Sequence, residues 1–191
     1  MVSPTAVSPT AHRQSGFAGK IRDANPDDFK DIAALYGYYV ETSAATFEFV
    51  APDYAEMLKR YKDLAKQNLP YLVAELDGKV VGYAYAGRYR TRPGYRYTVE
   101  DSVYVDKDFL GRGIGRLLLS ALIERATKLG YRQMISVIGD SANSASIALH
   151  SQLGFKVIGA LPSTGRKFER WIDSVLMQLA LGDGNTTPPL N

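Results

Sequence analysis

Phe29, Ile32, Ala33, Tyr36 and Val40 return every three or four residues, which places them on one face of a helix. Its start is written just upstream, with Asn25 as the N-cap, Pro26 in the first turn, and Asp27 and Asp28 at the positive end of the dipole. Tyr54, Met57, Leu58, Tyr61 and Ala65 repeat the pattern after Pro52. Ile114, Leu117, Leu118, Ala121 and Leu122 repeat it again, and Gly130 closes that helix with Arg125 and Lys128 in its last turns. Residues 144–153 predict a fourth helix, closed by Gly154. The β-prone runs are 20–22, 71–76, 79–87, 98–105, 134–138, 155–158 and 171–181, and Asp77-Gly78 between the second and third is a hairpin turn signal. Thr46-Phe47-Glu48 and the Arg-rich stretch 88–96 predict loops. The order is that of a mixed α/β domain with a strand, a glycine loop and a helix at its centre.

At 191 residues, 46% of them hydrophobic, the chain has the length of one ordinary domain. Residues 1–19, rich in Ser, Pro, Thr and Ala, are expected to be disordered, 20–181 to form the domain, and 182–191 to be a flexible tail. No apolar run reaches the roughly 18 residues that a membrane helix requires, and the first stretch has no signal-peptide core, so a soluble, cytoplasmic protein without a membrane partner is expected. The chain has no cysteine and two histidines, so neither a thiol nucleophile nor a metal site is expected. The net charge of +3 comes from basic residues interspersed with acidic ones, which predicts a local anion site and no nucleic-acid partner.

The anion site is Leu110-Gly111-Arg112-Gly113-Ile114-Gly115. Alternate glycines after a strand allow a tight turn with unobstructed N–H groups, and the helix that follows points its positive end at the same place. A pyrophosphate fits there, although tight strand-to-helix turns use glycine for steric reasons too. A P-loop would need Lys and Ser or Thr where Arg116 and Leu117 stand, and a dinucleotide fold would place its glycine turn after the first strand.

Asn143-x-x-Ser146-x-x-Leu149-His150, followed by Leu153-Gly154-Phe155, completes a constellation that resembles the GNAT superfamily of N-acetyltransferases. The resemblance implies the acyl-CoA N-acyltransferase fold: a central, mostly antiparallel mixed sheet, splayed at the acetyl-CoA site and flanked by helices. It implies that Val103, Tyr104 and Val105 pair with the pantetheine arm through their backbone. Leu110, Gly111, Arg112, Gly113, Ile114 and Gly115 would take the phosphates, and Asn143, helped by Ser146, would fix an amide of the arm. The family usually carries Gln or Arg where this chain has Leu110, a departure that bears on affinity. Thr46-Phe47-Glu48, Arg92-Pro93-Gly94-Tyr95-Arg96, Thr98-Val99-Glu100, Ser102-Val103-Tyr104-Val105, Gly165-Arg166-Lys167-Phe168 and Trp171-Ile172-Asp173 are similar to the phosphinothricin and methionine sulfoximine acetyltransferase subgroup. That similarity implies a homodimer that acetylates the α-amine of small amino acids and places Phe47 and Tyr95 near the acceptor.

The reaction explains the residue types. An ammonium must lose a proton before it attacks, the thioester carbonyl gathers negative charge, and the thiolate leaves better when protonated. Glu100 is the candidate base and the Val105 N–H the oxyanion donor. His150 either protonates the sulfur, orients the cofactor or is a hydrogen-bonded core histidine. Arg90, Arg92 and Arg96 form either a clamp for a substrate carboxylate or a solvated loop. Trp171 and Phe168 are read as core or dimer contacts. An acetyltransferase acting on another amine, such as a protein N-terminus, a lysine, a polyamine or an antibiotic, and a silent acetyl-CoA-binding module are the competing functions.

Overall fold

The computed structural model describes residues 16–189, so the expectation for residues 1–15, including His12, and for the last two residues lies outside it. Asn25 opens the first helical segment: its side chain accepts from the Asp27 N–H, and the Asp28 carboxylate accepts from the Asn25 N–H at 2.7 Å. Arg22 grips the same Asp28 with two nitrogens, at 2.6 and 2.7 Å, and so ties the helix entry to the first strand.

The elements are β1 (Lys20–Asp23), α1 (Phe29–Thr42), α2 (Tyr54–Ala65), β2 (Tyr71–Leu76), β3 (Lys79–Arg88), β4 (Thr98–Val105), α3 (Ile114–Lys128), β5 (Gln133–Gly139), α4 (Ser144–Gln152), β6 (Lys156–Lys167) and β7 (Arg170–Ala180). They build one seven-stranded sheet in the order β1-β2-β3-β4-β5-β7-β6. Every pairing is antiparallel except that of β4 with β5. Side-chain alternation divides the sheet's two faces. Leu72 and Ala74 of β2 face α3, where Leu118, Leu119, Leu122 and Ala126 bury themselves together with Met134 and Met177. Tyr71 and Val73 face α1 and α2, which supply Phe29, Ile32, Val40 and Met57. Truncation of a fully buried leucine in such a core typically costs about 2–5 kcal/mol. Among the described residues, no helix is long and apolar enough to cross a membrane.

Two readings from the sequence are corrected here. The strand expected at 155–158 continues to Lys167, because β6 is an edge strand and absorbs Gly159 and Pro162 at register shifts between Val157 and Gly159 and between Leu161 and Gly165. Trp171 and Phe168 are not core: they are 64% and 49% exposed. The tail forms turns at residues 182–185, with Gly184 buried, and is exposed at residues 185–188. Arg132 holds it, donating to Thr187 Oγ1 and the Pro188 carbonyl, both at 2.8 Å.

One feature of the sheet positions the site. β4 and β5 pair only through Thr98↔Gln133, Val99↔Met134 and Glu100↔Ile135. Beyond Glu100, β4 stays with β3 as far as Val105, while β5 stays with β7 as far as Gly139. The sheet therefore opens between them.

Candidate active site

The backbone of β4 determines what the opening offers. The Asp106 N–H donates to Val81 and the Thr98 carbonyl accepts from Tyr89, so the even-numbered positions turn their N–H and C=O groups to β3. Asp101, Val103 and Val105 therefore turn theirs to the gap. Tyr104, expected to share the backbone pairing, faces β3 opposite Tyr83, and its ring packs on Tyr36, Tyr39 and Tyr83. The Val105 carbonyl already accepts from the Tyr39 hydroxyl at 2.6 Å.

The glycine loop closes one end of the gap. Gly111 and Gly113 hold left-handed φ angles of 75° and 81°, a region that disfavours a side chain by roughly 1–2 kcal/mol. α3 has no side-chain cap and no acid in its first turn. Its first intrahelical bond runs from the Leu117 N–H to Gly113, so the N–H groups of Ile114, Gly115 and Arg116 have no intrahelical partner. The positive end of the helix is thus left for an anion. A Cβ at Gly115 would lie 3.3 Å from Leu149 and 3.6 Å from Val105, which seats the helix start against both β4 and α4. Ile114 is buried, Leu110 is exposed, and the Arg112 guanidinium turns back over the Phe109 ring at 4.7 Å.

Between the strands lies a cavity of ≈ 60 Å³ lined by Asp101, Val103, Ser136, Asn143, Ser146 and His150, among others. The Asn143 side-chain oxygen caps α4 by accepting from the Ser146 N–H at 3.2 Å, so its amide NH₂ remains to serve a ligand. His150 is 2% exposed. Its Nδ1 lies 2.8 Å from the Ser146 carbonyl, and its Nε2 lies 3.0 Å from both Asp101 Oδ2 and Ser136 Oγ. Burial pushes the imidazole pKa down, but the Asp101 carboxylate and the Ser146 carbonyl outweigh it and the net shift is upward. Glu100 lies on the opposite face of β4 from Asp101, half-buried. Burial raises its pKa, the neighbouring Asp101 charge adds to the rise, and Arg90 offsets part of it. A carboxylate raised in this way is a better proton acceptor than a solvated one. Glu100 and His150 thus flank β4 where the sheet parts.

The loop at 43–48 forms a wall beside the opening. The Lys167 ammonium, buried, donates to the Ser43 and Thr46 carbonyls at 2.8 Å each. Glu48 accepts from Arg60 at 2.7 Å and from Tyr36 at 2.9 Å. Burial raises the Glu48 pKa, but these partners outweigh it and the net shift is downward. Phe47 lies flat against Gly165, where any Cβ would overlap its ring. Gly165→Ala is therefore expected to overpack this contact at a cost of about 1–3 kcal/mol, read as a lower midpoint in thermal denaturation. An unchanged midpoint would show that the wall yields freely.

The arginine loop is exposed. Arg90 stacks on Tyr89 at 5.0 Å, Arg96 on Tyr97 at 4.6 Å, and Tyr95 stands edge-on to Tyr89. Of the three arginines, Arg90 is the one whose charge reaches Glu100. The structure does not gather them into one clamp. Sequence reasoning missed Asp101, Ser136, Glu48 and Lys167, whose partners come from distant segments. Glu48 and Lys167 fall within motifs the sequence displays, Thr46-Phe47-Glu48 and Gly165-Arg166-Lys167-Phe168, but their chain positions say nothing of Arg60 or Ser43.

Comparison with known proteins agrees with this geometry. The profile described as the acetyltransferase (GNAT) family matches residues 34–155. The phosphinothricin N-acetyltransferase of Alcaligenes faecalis is 50% identical over 169 residues, covering 88% of this chain and 86% of that protein. The L-methionine sulfoximine/L-methionine sulfone acetyltransferase of Pseudomonas aeruginosa is 42% identical over 172 residues, covering 90% of this chain and 99% of that protein. The crystal structure of a GNAT superfamily phosphinothricin acetyltransferase from Sinorhizobium meliloti in complex with acetyl-CoA is 44% identical, with a TM-score of 0.88 over 91% of this chain and 94% of that one.

Proposed function

Because this chain belongs to the acetyltransferase (GNAT) family, we propose that it transfers an acetyl group from acetyl-CoA to the α-amine of a small amino acid or analogue, of the phosphinothricin or methionine sulfoximine type, by direct attack in a ternary complex. The observation that carries this is the parting of β4 from β5 just past Glu100, with the uncapped start of α3 at the far end. The backbone of Val103 and Val105 and the Asn143 amide hold the pantetheine arm. The N–H groups of the glycine loop and the first turn of α3 take the pyrophosphate. Bound acetyl-CoA supplies an activated thioester carbonyl.

Glu100 accepts the proton that the ammonium must lose, directly or through water. The oxyanion meets an N–H that β4 turns to the gap near Glu100, that of Asp101 or Val103, because the Val105 N–H read from the sequence lies five residues further toward the glycine loop, roughly 16 Å along an extended strand. His150 holds a proton beside the leaving sulfur. Phe47 and Tyr95 border the acceptor, and Arg90, the one of the three arginines whose charge reaches Glu100, meets its carboxylate. The reading of a homodimer is supported by the exposed apolar residues Val157, Ile158, Leu161 and Trp171 on the outer hairpin, and light scattering of the purified protein tests it. A cytoplasmic location belongs to the same proposal, and a small-molecule acceptor carrying a carboxylate needs neither a membrane nor a nucleic acid.

The test is an acceptor screen that follows release of free CoA over amino acids and their sulfoximine and phosphinate analogues. Turnover with none of them removes the proposal. A charge-assisted contact contributes roughly 1.5–3 kcal/mol, so blocking the best acceptor's carboxylate as an amide is expected to raise KM about ten- to a hundredfold. Equal KM for acid and amide removes Arg90 from the acceptor site.

A further inference from the structure

Asp101 has no part in the reaction as described, yet it is among the most thoroughly buried carboxylates of the chain. Its side chain is 1% exposed, that of His150 2%. The carboxylate contacts the ring through Oδ2 alone, and Oδ1 has no partner. Burying an isolated charge in this way is costly, so a compensating charge has to stand beside it.

The hydrogen-bond inventory of the imidazole says where that charge is. A backbone carbonyl only accepts, so Nδ1, 2.8 Å from the Ser146 carbonyl, carries a hydrogen. A neutral ring protonated there would present the Nε2 lone pair to the lone pairs of Asp101 Oδ2, 3.0 Å away. That contact is repulsive unless a second proton lies on the line between the two atoms. The other groups against the ring are neutral: Ser136 Oγ from β5, Ser146 Oγ from α4 at 3.5 Å, and the Phe155 ring edge-on. Glu100, the nearest further acid along the chain, lies on the opposite face of β4 and adds negative charge.

We propose that Asp101 is a positioning residue that keeps His150 as a doubly protonated imidazolium at neutral pH, so that a proton is stored beside the gap before the acceptor arrives. Asp101 orients the ring through Nε2, Ser146 fixes it through Nδ1, and the pair's proton stays in the protein until a basic group enters the gap. When the carbon–sulfur bond breaks, the electron pair goes to sulfur and the Nε2 proton follows it to give the thiol; the acceptor nitrogen loses two protons in becoming an amide, the first to Glu100 before attack, which passes it to water, and the second as the amide forms, which restores the imidazolium. That last use rests on the reaction proposed above, whereas the state of the ring does not.

The experiment is NMR of the imidazole on the full chain carrying His12→Gln, which leaves His150 as the single histidine, beside the pH profile of kcat. The expected result is two protonated ring nitrogens at pH 7 and a titration midpoint above the ordinary histidine value of about 6.5. Asp101→Asn, which keeps the shape and loses the charge, should move that midpoint down by more than tenfold in proton affinity, and Ser136→Ala, which removes a neutral partner, by much less. A ring with one protonated nitrogen at pH 7 overturns the proposal, as does an Asp101→Asn midpoint equal to wild type. If Asp101→Asn does not fold, the wild-type nitrogen spectrum and Ser136→Ala decide alone. If the midpoint falls while the alkaline limb of kcat stays in place, Asp101 governs the ring but His150 is not the acid, and it is the reading of His150 in the reaction that fails.

Discussion

Glu100→Gln is expected to lower kcat by about 10²–10⁴-fold, the usual contribution of a general base, with acetyl-CoA binding retained. Glutamine keeps the size of the side chain and one hydrogen-bond acceptor but takes no proton. Position 100 is the last at which β4 and β5 still pair, opposite Ile135, so the substitution touches none of the backbone that lines the gap. The raised pKa of Glu100 adds a pH signature. The rate of the wild-type enzyme should fall with pH through a midpoint above that of an ordinary carboxylate, because the base is lost as it protonates, and this limb should be absent in the variant. The comparison is a pH–rate profile of both proteins at saturating cofactor. Wild-type kcat in the variant at neutral pH ends the general-base assignment. A variant that loses mainly KM and recovers at high pH makes Glu100 an anchor for the ammonium instead.

The second large effect is expected at Gly113. A ligand that binds only the folded state stabilises it by RT ln(1 + [L]/Kd), about 2.7 kcal/mol at a hundredfold excess over Kd. Wild-type protein should show this as a rise in melting temperature on addition of acetyl-CoA. Gly113→Asp should abolish the rise. Aspartate is one of the few side chains that tolerate a left-handed φ such as the 81° here, so the variant should fold, but it places a carboxylate at the end of α3 where the dipole and three free N–H groups would otherwise meet an anion. An undiminished shift in the folded variant moves the phosphate site elsewhere.

What could be read from the chain was what is written locally. Asn25-Pro26-Asp27-Asp28, Asp77-Gly78 and the alternate glycines after β4 each act within a few residues, and each lies where the pattern put it. β6 was read too short because Gly159 and Pro162 count against a strand interior, and a bulged edge strand is the place that tolerates them. The arginines looked like one cluster because they are neighbours in sequence. On an exposed loop nearness in sequence does not make side chains converge, and Arg90 and Arg96 each settle on the aromatic ring preceding or following them. Asp101 was invisible for the opposite reason. Its partner is 49 residues away on a different element, and nothing in Val99-Glu100-Asp101-Ser102 says which of two adjacent acids turns inward.

The grip of Lys167 on the Ser43 and Thr46 carbonyls has a consequence for the order in which this protein comes to life. The two ends of the first contact are 124 residues apart, so the wall that carries Phe47 is fastened by a residue at the turn of the last hairpin. During synthesis the glycine loop and α3 emerge with all the strands they pack on except β5 and β7, whereas the wall waits for nearly the whole domain. Contacts this distant in sequence carry a loop-closure cost that only late folding repays. A nascent chain stalled before β6 would thus lack the fastening of one side of its pocket, and the side facing Phe47 would be assembled in the final step of folding.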